Sequence, residues 1–293
     1  MRRVGEGADY WTLLQELAKE TPFTASGLAC AFETAQDGGV VFNSKVETPI
    51  PLVGLCAGDT PEECAGHAES LVAQGYGTLK MKVAAVSQRE DSHRVIAVDR
   101  AVPDSVELRL DANQAMGGVE PAVAFCSIIE NLGRRVWLEQ PLPPEDWEGH
   151  RELARRTGAP LMLDESIHNA EDIDNAVWTG AKAVKFKLCK HPGMKAAARI
   201  IQRALDAGLE VVLGNGVQTE VGNHLEAVLH HRTGLETAFE GNGFLKPAGR
   251  LCGSSMTVSR GELLDGEVRV EQILENRAPL VQASFAYLPL DSV

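Results

Sequence analysis

Aromatic side chains make up only 5% of this 293-residue chain, and the cysteine spacings that announce a metal or redox site are missing. The six cysteines (Cys30, Cys56, Cys64, Cys126, Cys189 and Cys252) stand far apart, with no C-x-x-C among them. No spacing therefore suggests a thiolate zinc site or a dithiol pair, and a reducing, cytoplasmic setting is expected. Basic residues are also scarce: Lys+Arg 28 against Asp+Glu 41 leaves a formal net charge of −13, which argues against a nucleic-acid partner. No apolar run approaches a membrane span, and the basic start of "MRRVGEGADYW" has no apolar stretch behind it, so a soluble protein without a membrane partner is expected. Low-complexity segments and long linkers are absent too.

What the chain does contain is alternation. Short apolar runs at 51–56, 78–83, 106–111, 135–139, 160–164, 183–188, 209–214 and 236–241 read as eight strands, separated by longer helical patterns. Helix ends are legible: Thr60 caps "PEECAGHAESLVAQ", Pro61 suits its first position and Gly75 its exit. Ile200, Ile201 and Leu205 form the apolar stripe of a helix that stops at Gly208. Strand, helix and two loops recur with a step of 23 to 29 residues from Lys82 to Asp111, Glu139, Asp164 and Lys187. Eight parallel strands at that period predict an α/β fold of the closed TIM-type (β/α)8 kind, whose site lies at the C-terminal ends of the strands. Those five charged residues would then ring one mouth.

Two lysines in "TLKMKV" raise a question of their own. Lys80 and Lys82 share one face of a strand, where like charges repel. Three carboxylates converging beside them also repel unless a cation binds, and an all-oxygen set suits magnesium, or manganese, rather than zinc.

In combination, "KMK" at the second strand, "DAN" after the third, "LEQPL" after the fourth, "LDES" after the fifth and "KFKLCKHPG" at the sixth resemble the enolase superfamily. The likeness is to its muconate lactonizing enzyme-like branch, within the mandelate racemase/muconate lactonizing enzyme family, and covers about residues 25 to 245. The resemblance implies Asp111, Glu139 and Asp164 as metal ligands, Mg2+ as cofactor, and Lys82 and Lys187 as acid/base residues on opposite faces of a small carboxylate substrate. Lys80 is then expected to act on Lys82 as a positive neighbour, and Lys185 on Lys187 in the same way; the second pair departs from a pattern that often has a neutral polar residue there. Asn215, in "GNG" at the end of the seventh strand, is either a substrate contact or part of a plain tight turn. His230 and His231 are expected to meet the carbonyl end of a helix, and Glu165 to form a structural salt bridge.

The resemblance also implies an α+β capping domain before the barrel, most of which this sequence lacks. The expected division is a cap remnant and lead-in helix over 1–48, the barrel over 49–250, and a segment over 251–293 that returns to the cap region. The expected chemistry is abstraction of the proton alpha to a carboxylate through an enediolate, by a racemase or epimerase of an amino-acid derivative or dipeptide. A dehydratase of the o-succinylbenzoate synthase type, a cycloisomerase, and a catalytically silent metal-binding barrel or subunit of a larger assembly are the alternatives. A homo-oligomer is expected.

Overall fold

A computed structural model describes residues 10–36, 44, 46–84, 87–158, 160–216, 218–247 and 256–264. Its centre is a parallel sheet of seven strands in sequence order: β2 (Val53–Cys56), β3 (Thr78–Lys82), β4 (Glu107–Asp111), β5 (Val136–Glu139), β6 (Leu161–Leu163), β7 (Ala183–Phe186) and β8 (Glu210–Leu213). The eighth strand expected over 236–241 is reduced to two residues. Phe239 bridges Leu52 on one edge of the sheet and Glu240 bridges Gly214 on the other. Backbone bonds from Phe239 to Pro51 (2.8 Å), Val53 to Phe239 (3.0 Å) and Glu240 to Leu213 (3.0 Å) close the sheet into a barrel. Closure leaves no unpaired edge, which a parallel sheet this short would otherwise expose.

Period-two alternation gives each strand one face for the helices and one for the barrel interior. Leu79, Met81, Leu108, Leu110, Leu138 and Leu163 join the large core between strands and helices. Trp137, Met162, Ala183 and Val212 form a separate cluster inside the barrel. Below that plug, at the N-terminal ends of the strands, charges close the interior: Arg109 pairs with Glu107 (2.9 Å), and Arg135 pairs with Glu107 (3.3 Å) and Glu210. Arg109 is buried, and its guanidinium also donates to the Ala238 carbonyl at 2.9 Å, so a side chain from β4 holds the short eighth strand from within.

The helices follow their local signals. Over α3 (Pro61–Ala73) the Thr60 hydroxyl accepts from the Glu63 N–H (3.2 Å) while the Glu63 carboxylate accepts from the Thr60 N–H (3.2 Å), a reciprocal cap with Pro61 at the first position. Gly75 takes φ +98° at the exit, a left-handed conformation that favours glycine. The remaining barrel helices are α4 (Gln88–Ala101), α5 (Val119–Ile129), α6 (Trp147–Arg156), α7 (Ala170–Thr179), α8 (Met194–Asp206) and α9 (Glu220–Arg232).

Ahead of the barrel lies a helical hairpin, α1 (Tyr10–Glu20) and α2 (Pro22–Gln36). The lead-in helix expected within residues 1–48 is α2, whose second half carries "ACAFETA". Its Ser26 hydroxyl donates to the Leu188 carbonyl (2.8 Å), and its Glu33 carboxylate accepts from the Met194 N–H (2.7 Å) at the start of α8. The anionic side chain thus meets the positive end of that helix. At the opposite end of the barrel, β1 (Ile50–Pro51) pairs antiparallel with β10 (Glu262–Leu264), which pairs with β9 (Thr257–Ser259). Of the expected segment 251–293 only 256–264 is described, and residues 251–255, 265–293 and 1–9 lie outside the described residues. Among the described residues, no helix is long and apolar enough to cross a membrane.

Arg109→Met should separate the contribution of this internal tie from that of general burial. It leaves the Ala238 carbonyl without its Arg109 donor and Glu107 with Arg135 alone, and a loss of about 3 kcal/mol in unfolding free energy is expected in urea titration. A loss under about 0.5 kcal/mol, the size seen for surface substitutions, would show that the eighth strand does not depend on Arg109.

Candidate active site

Residues in register on a parallel ladder face the same side, and Lys82, Asp111 and Glu139 are register partners across β3, β4 and β5. Asp164 follows β6 directly and Lys187 follows β7 directly. The five strand-end charges expected to ring one mouth therefore do so. They fall into two levels.

At the deeper level Lys80, Lys185, Glu139 and Glu240 meet, all buried. Lys80 Nζ lies 2.9 Å from Glu139 Oε1, 3.3 Å from Glu240 and 2.8 Å from Asp111 Oδ2. Lys185 Nζ lies 2.9 Å from Glu139 Oε1 and 2.6 Å from Glu240 Oε2. Burial works to lower both ammonium groups, but the surrounding carboxylates outweigh it and raise both. The two carboxylates divide. Burial works to raise Glu240, yet with both oxygens bonded to lysines it is held down to about 2. Burial prevails at Glu139, whose carboxyl is pushed up to about 7 and whose Oε2 has no hydrogen-bond partner.

At the rim, Lys82 Nζ contacts Asp111 Oδ2 (2.5 Å) and donates to Asn113 Oδ1, while Asn113 Nδ2 donates to Glu165 Oε1 (2.9 Å). Opposite, Lys187 Nζ contacts Asp164 Oδ2 (2.6 Å), and Lys190 Nζ contacts Asp164 Oδ1 (3.0 Å) and the Asp164 carbonyl (2.8 Å). Burial opposes ionisation of Asp111 and Asp164, but the lysines hold both below the usual carboxylate range. Asp111 Oδ2 therefore stands between Lys80 and Lys82, and the like charges noted in "KMK" meet across a shared counter-charge.

Loop geometry supports the mouth. Ala84, Asn113, Gln114 and Gln140 all have positive φ (68°, 41°, 70° and 38°), and all lie just past the ends of β3, β4 and β5. Left-handed backbone at non-glycine residues costs energy and collects at functional sites. Gln140 is wholly buried: its Oε1 accepts from the N–H groups of Asp164 (2.9 Å) and Ser166 (3.2 Å), its Nε2 donates to Ser166 Oγ (2.8 Å), and its carbonyl accepts from the Gln114 N–H (2.7 Å).

Asn215, at the end of the seventh barrel strand, has its Oδ1 buried without a hydrogen-bond partner while its Nδ2 is engaged. Its Nδ2 donates to Asn223 Oδ1 (3.1 Å) and Glu226 Oε2 (2.8 Å) on α9, and Gln218 Nε2 donates to Glu226 Oε1 (2.5 Å). Glu165 makes its hydrogen bond to neutral Asn113, and His230 Nε2 lies 3.0 Å from the Thr237 carbonyl. Glu240 and Lys190 were not singled out in the sequence. Glu240 carries the same signal as the others, a charge at a strand end, and Lys190 is brought back beside Lys187 by one 3-10 turn over Leu188–Lys190.

Whether these residues suit a divalent cation can be judged from their chemistry. Three carboxylates on consecutive strands form an all-oxygen donor set, and the unpartnered Glu139 Oε2 is a buried acceptor in need of a charge. The donor set fits. Among the described residues, no three His, Cys, Asp or Glu side chains are gathered as a finished cage, since each rim carboxylate is engaged by lysine.

Comparison with known proteins agrees with this geometry. The family model described as enolase C-terminal domain-like matches residues 63–272. The L-Ala-D/L-Glu epimerase of Bacillus subtilis is 33% identical over 168 residues, 56% of this chain and 45% of the epimerase. Muconate cycloisomerase 1 of Pseudomonas putida is 28% identical over 217 residues, 71% of this chain and 57% of that protein. The N-succinyl-L-Arg/Lys racemase of Bacillus cereus is 29% identical over 177 residues, 59% of this chain and 47% of the racemase. The substrate-liganded structure of the Bacillus subtilis epimerase superposes with a TM-score of 0.68 at 26% identity, covering 77% of this chain and 64% of that one. The chain thus spans about half the length of the curated relatives it matches.

Glu226 gives a measurable pH dependence. Burial raises its carboxyl to about 8, against the lowering effect of Asn215 and Gln218. A carboxyl raised in the folded state binds more protons folded than unfolded, so its contribution to stability is complete below 4.5 and is lost as pH rises through about 8. The melting temperature of Glu226→Gln relative to the parent should therefore rise between about pH 5 and pH 8.5. A pH-independent difference would show that Glu226 does not titrate in this range.

Proposed function

Because the chain belongs to the enolase C-terminal domain-like family, we propose that it removes and returns the proton alpha to a substrate carboxylate, as a racemase or epimerase of an amino-acid derivative or dipeptide. The observation that carries this reading is the placement of two rim lysines, Lys82 on β3 and Lys187 after β7, each against its own carboxylate on either side of Glu139. The names of similar proteins, epimerases and a racemase among them, support the same class of reaction.

Asp111, Glu139 and Asp164 would hold the magnesium ion, which when bound supplies the positive charge that stabilises an enediolate. The rest falls to the chain. An ammonium has no lone pair, so Lys82 must open its ion pair with Asp111 and give up its proton before it can take one from the α-carbon. Lys187, released from Asp164, then delivers a proton to the other face. The reverse reaction exchanges their roles. Lys80, Lys185 and Glu240 lie beneath and keep the interior charge balanced, so that rim protons can move without leaving an isolated charge in the barrel. A cycloisomerase reading is supported by the likeness to muconate cycloisomerase 1, and it requires only one lysine to abstract a proton.

Magnesium binding can be read without turnover. The ion should raise the melting temperature of the parent by mass action, and Asp111→Asn, Glu139→Gln and Asp164→Asn should each remove most of the gain. Coincident melting curves with and without magnesium would overturn the ligand assignment.

Proton exchange in heavy water distinguishes the two readings of the reaction. On a substrate identified from N-acyl amino acids and dipeptides, Lys82→Ala and Lys187→Ala should both abolish racemisation, each by about 10²–10⁴ in rate, and retain exchange for opposite enantiomers. If only one substitution stops exchange, the reaction uses one base and the racemase reading is wrong.

A further inference from the structure

Outside the barrel, on α4, Arg94 makes contacts that bear on Lys82. Its Nη2 donates to the Lys82 carbonyl at 3.2 Å, its Nη1 donates to the Gly58 carbonyl at 3.2 Å, and it is paired with Asp91. Asp91 is wholly buried, and its other oxygen accepts from the Ala84 N–H at 2.5 Å. Between them, Val83 donates its N–H to the Asp111 carbonyl at 2.9 Å. Three successive residues, 82 to 84, are therefore pinned from outside the strand, and Ala84 is kept in the left-handed region that a side chain disfavours.

A lysine side chain is long and flexible, and that of Lys82 is largely exposed, so its own contacts do little to define its reach. The position of its Cα must do so instead. The geometry points to Asp91 and Arg94 as positioning residues: a carboxylate–guanidinium clamp that sets the depth and direction from which the Lys82 ammonium enters the mouth. The clamp acts on one lysine only. The Lys187 carbonyl accepts from the Lys190 N–H (2.9 Å) within its own turn, and among the described residues it has no counterpart of Arg94. The catalytic meaning of the clamp rests on the two-lysine reading above; its structural effect on Lys82 does not.

Two measurements separate these levels. In the first, full-length parent, Arg94→Gln and Arg94→Lys are reductively methylated with limiting formaldehyde, and modification at Lys82 and Lys187 is read by peptide mass mapping. Arg94→Gln should change the rate at Lys82 threefold or more and leave Lys187 within the error. Arg94→Lys keeps the charge but not the two-pronged donor geometry, and should show the same selective change if Arg94→Gln does not fold. Equal changes at both lysines, or none, in a variant with parental circular dichroism would overturn the clamp. In the second, α-proton exchange is followed from each enantiomer of a confirmed substrate. The exchange assigned to Lys82 should fall about tenfold or more while that assigned to Lys187 stays within twofold, and an equal loss on both faces would also overturn it. Absence of exchange in the parent would count against the proposed reaction, and the labelling result would still decide the clamp.

Discussion

Four charges enclosed by a barrel form the constraint around which this molecule is arranged. Lys80, Lys185, Glu139 and Glu240 come from four different strands and have almost no contact with solvent, so each is tolerable only while the others are in place. The eighth strand offers two bridging residues to the sheet, and one of them is Glu240. Electrostatics therefore does much of the closing that a longer ladder of backbone hydrogen bonds would do elsewhere. Arg109 adds to this from the layer below through the Ala238 carbonyl. Closure and the floor of the candidate site use the same residues, and the apolar cluster of Trp137, Met162, Ala183 and Val212 separates that ionic floor from the charges at the other end of the barrel.

Burial alone does not decide the direction in which the groups of such a site shift; the charges that surround each one count as well. Glu240 and Glu139 share the same two lysines, yet one is driven down and the other up. Glu139 is buried most deeply and has Glu240 and Asp111 as like-charged neighbours, while Glu240 has Arg109 as a further positive neighbour and is contacted through both oxygens. At the rim, the Asp164 carboxylate receives Lys187 and Lys190, and these with Lys185 nearby hold it far below the usual range.

Much of this was legible in the chain because strand ends and charges recur together. Seven of the expected strands are found within a residue or two, and Lys82, Asp111, Glu139, Asp164 and Lys187 take the ring positions that their spacing implied. Thr60, Pro61 and Gly75 cap and terminate α3 as local propensity dictates. What could not be read depends on distance in sequence. Nothing in "FEGNG" says that Glu240 turns inward to lysines 160 and 55 positions away, and nothing around Asn215 says that its Nδ2 donates to Asn223 and Glu226 on a helix still to come. The short eighth strand had the composition of a full one, and only the flanking geometry limits it to two residues.

Gln140 has a consequence beyond local order. Its amide and backbone join the loops that follow β4, β5 and β6, the three strands whose ends carry Asp111, Glu139 and Asp164. An amide does not titrate, and its short hydrogen bonds in a dry interior are little affected by dissolved salt. The separation between the three carboxylates is thus ruled by a neutral crosspiece, while the contacts that lysines make with them are ionic. Spacing and charge are assigned to different kinds of bond, and the ruler keeps its length when the charges around it change.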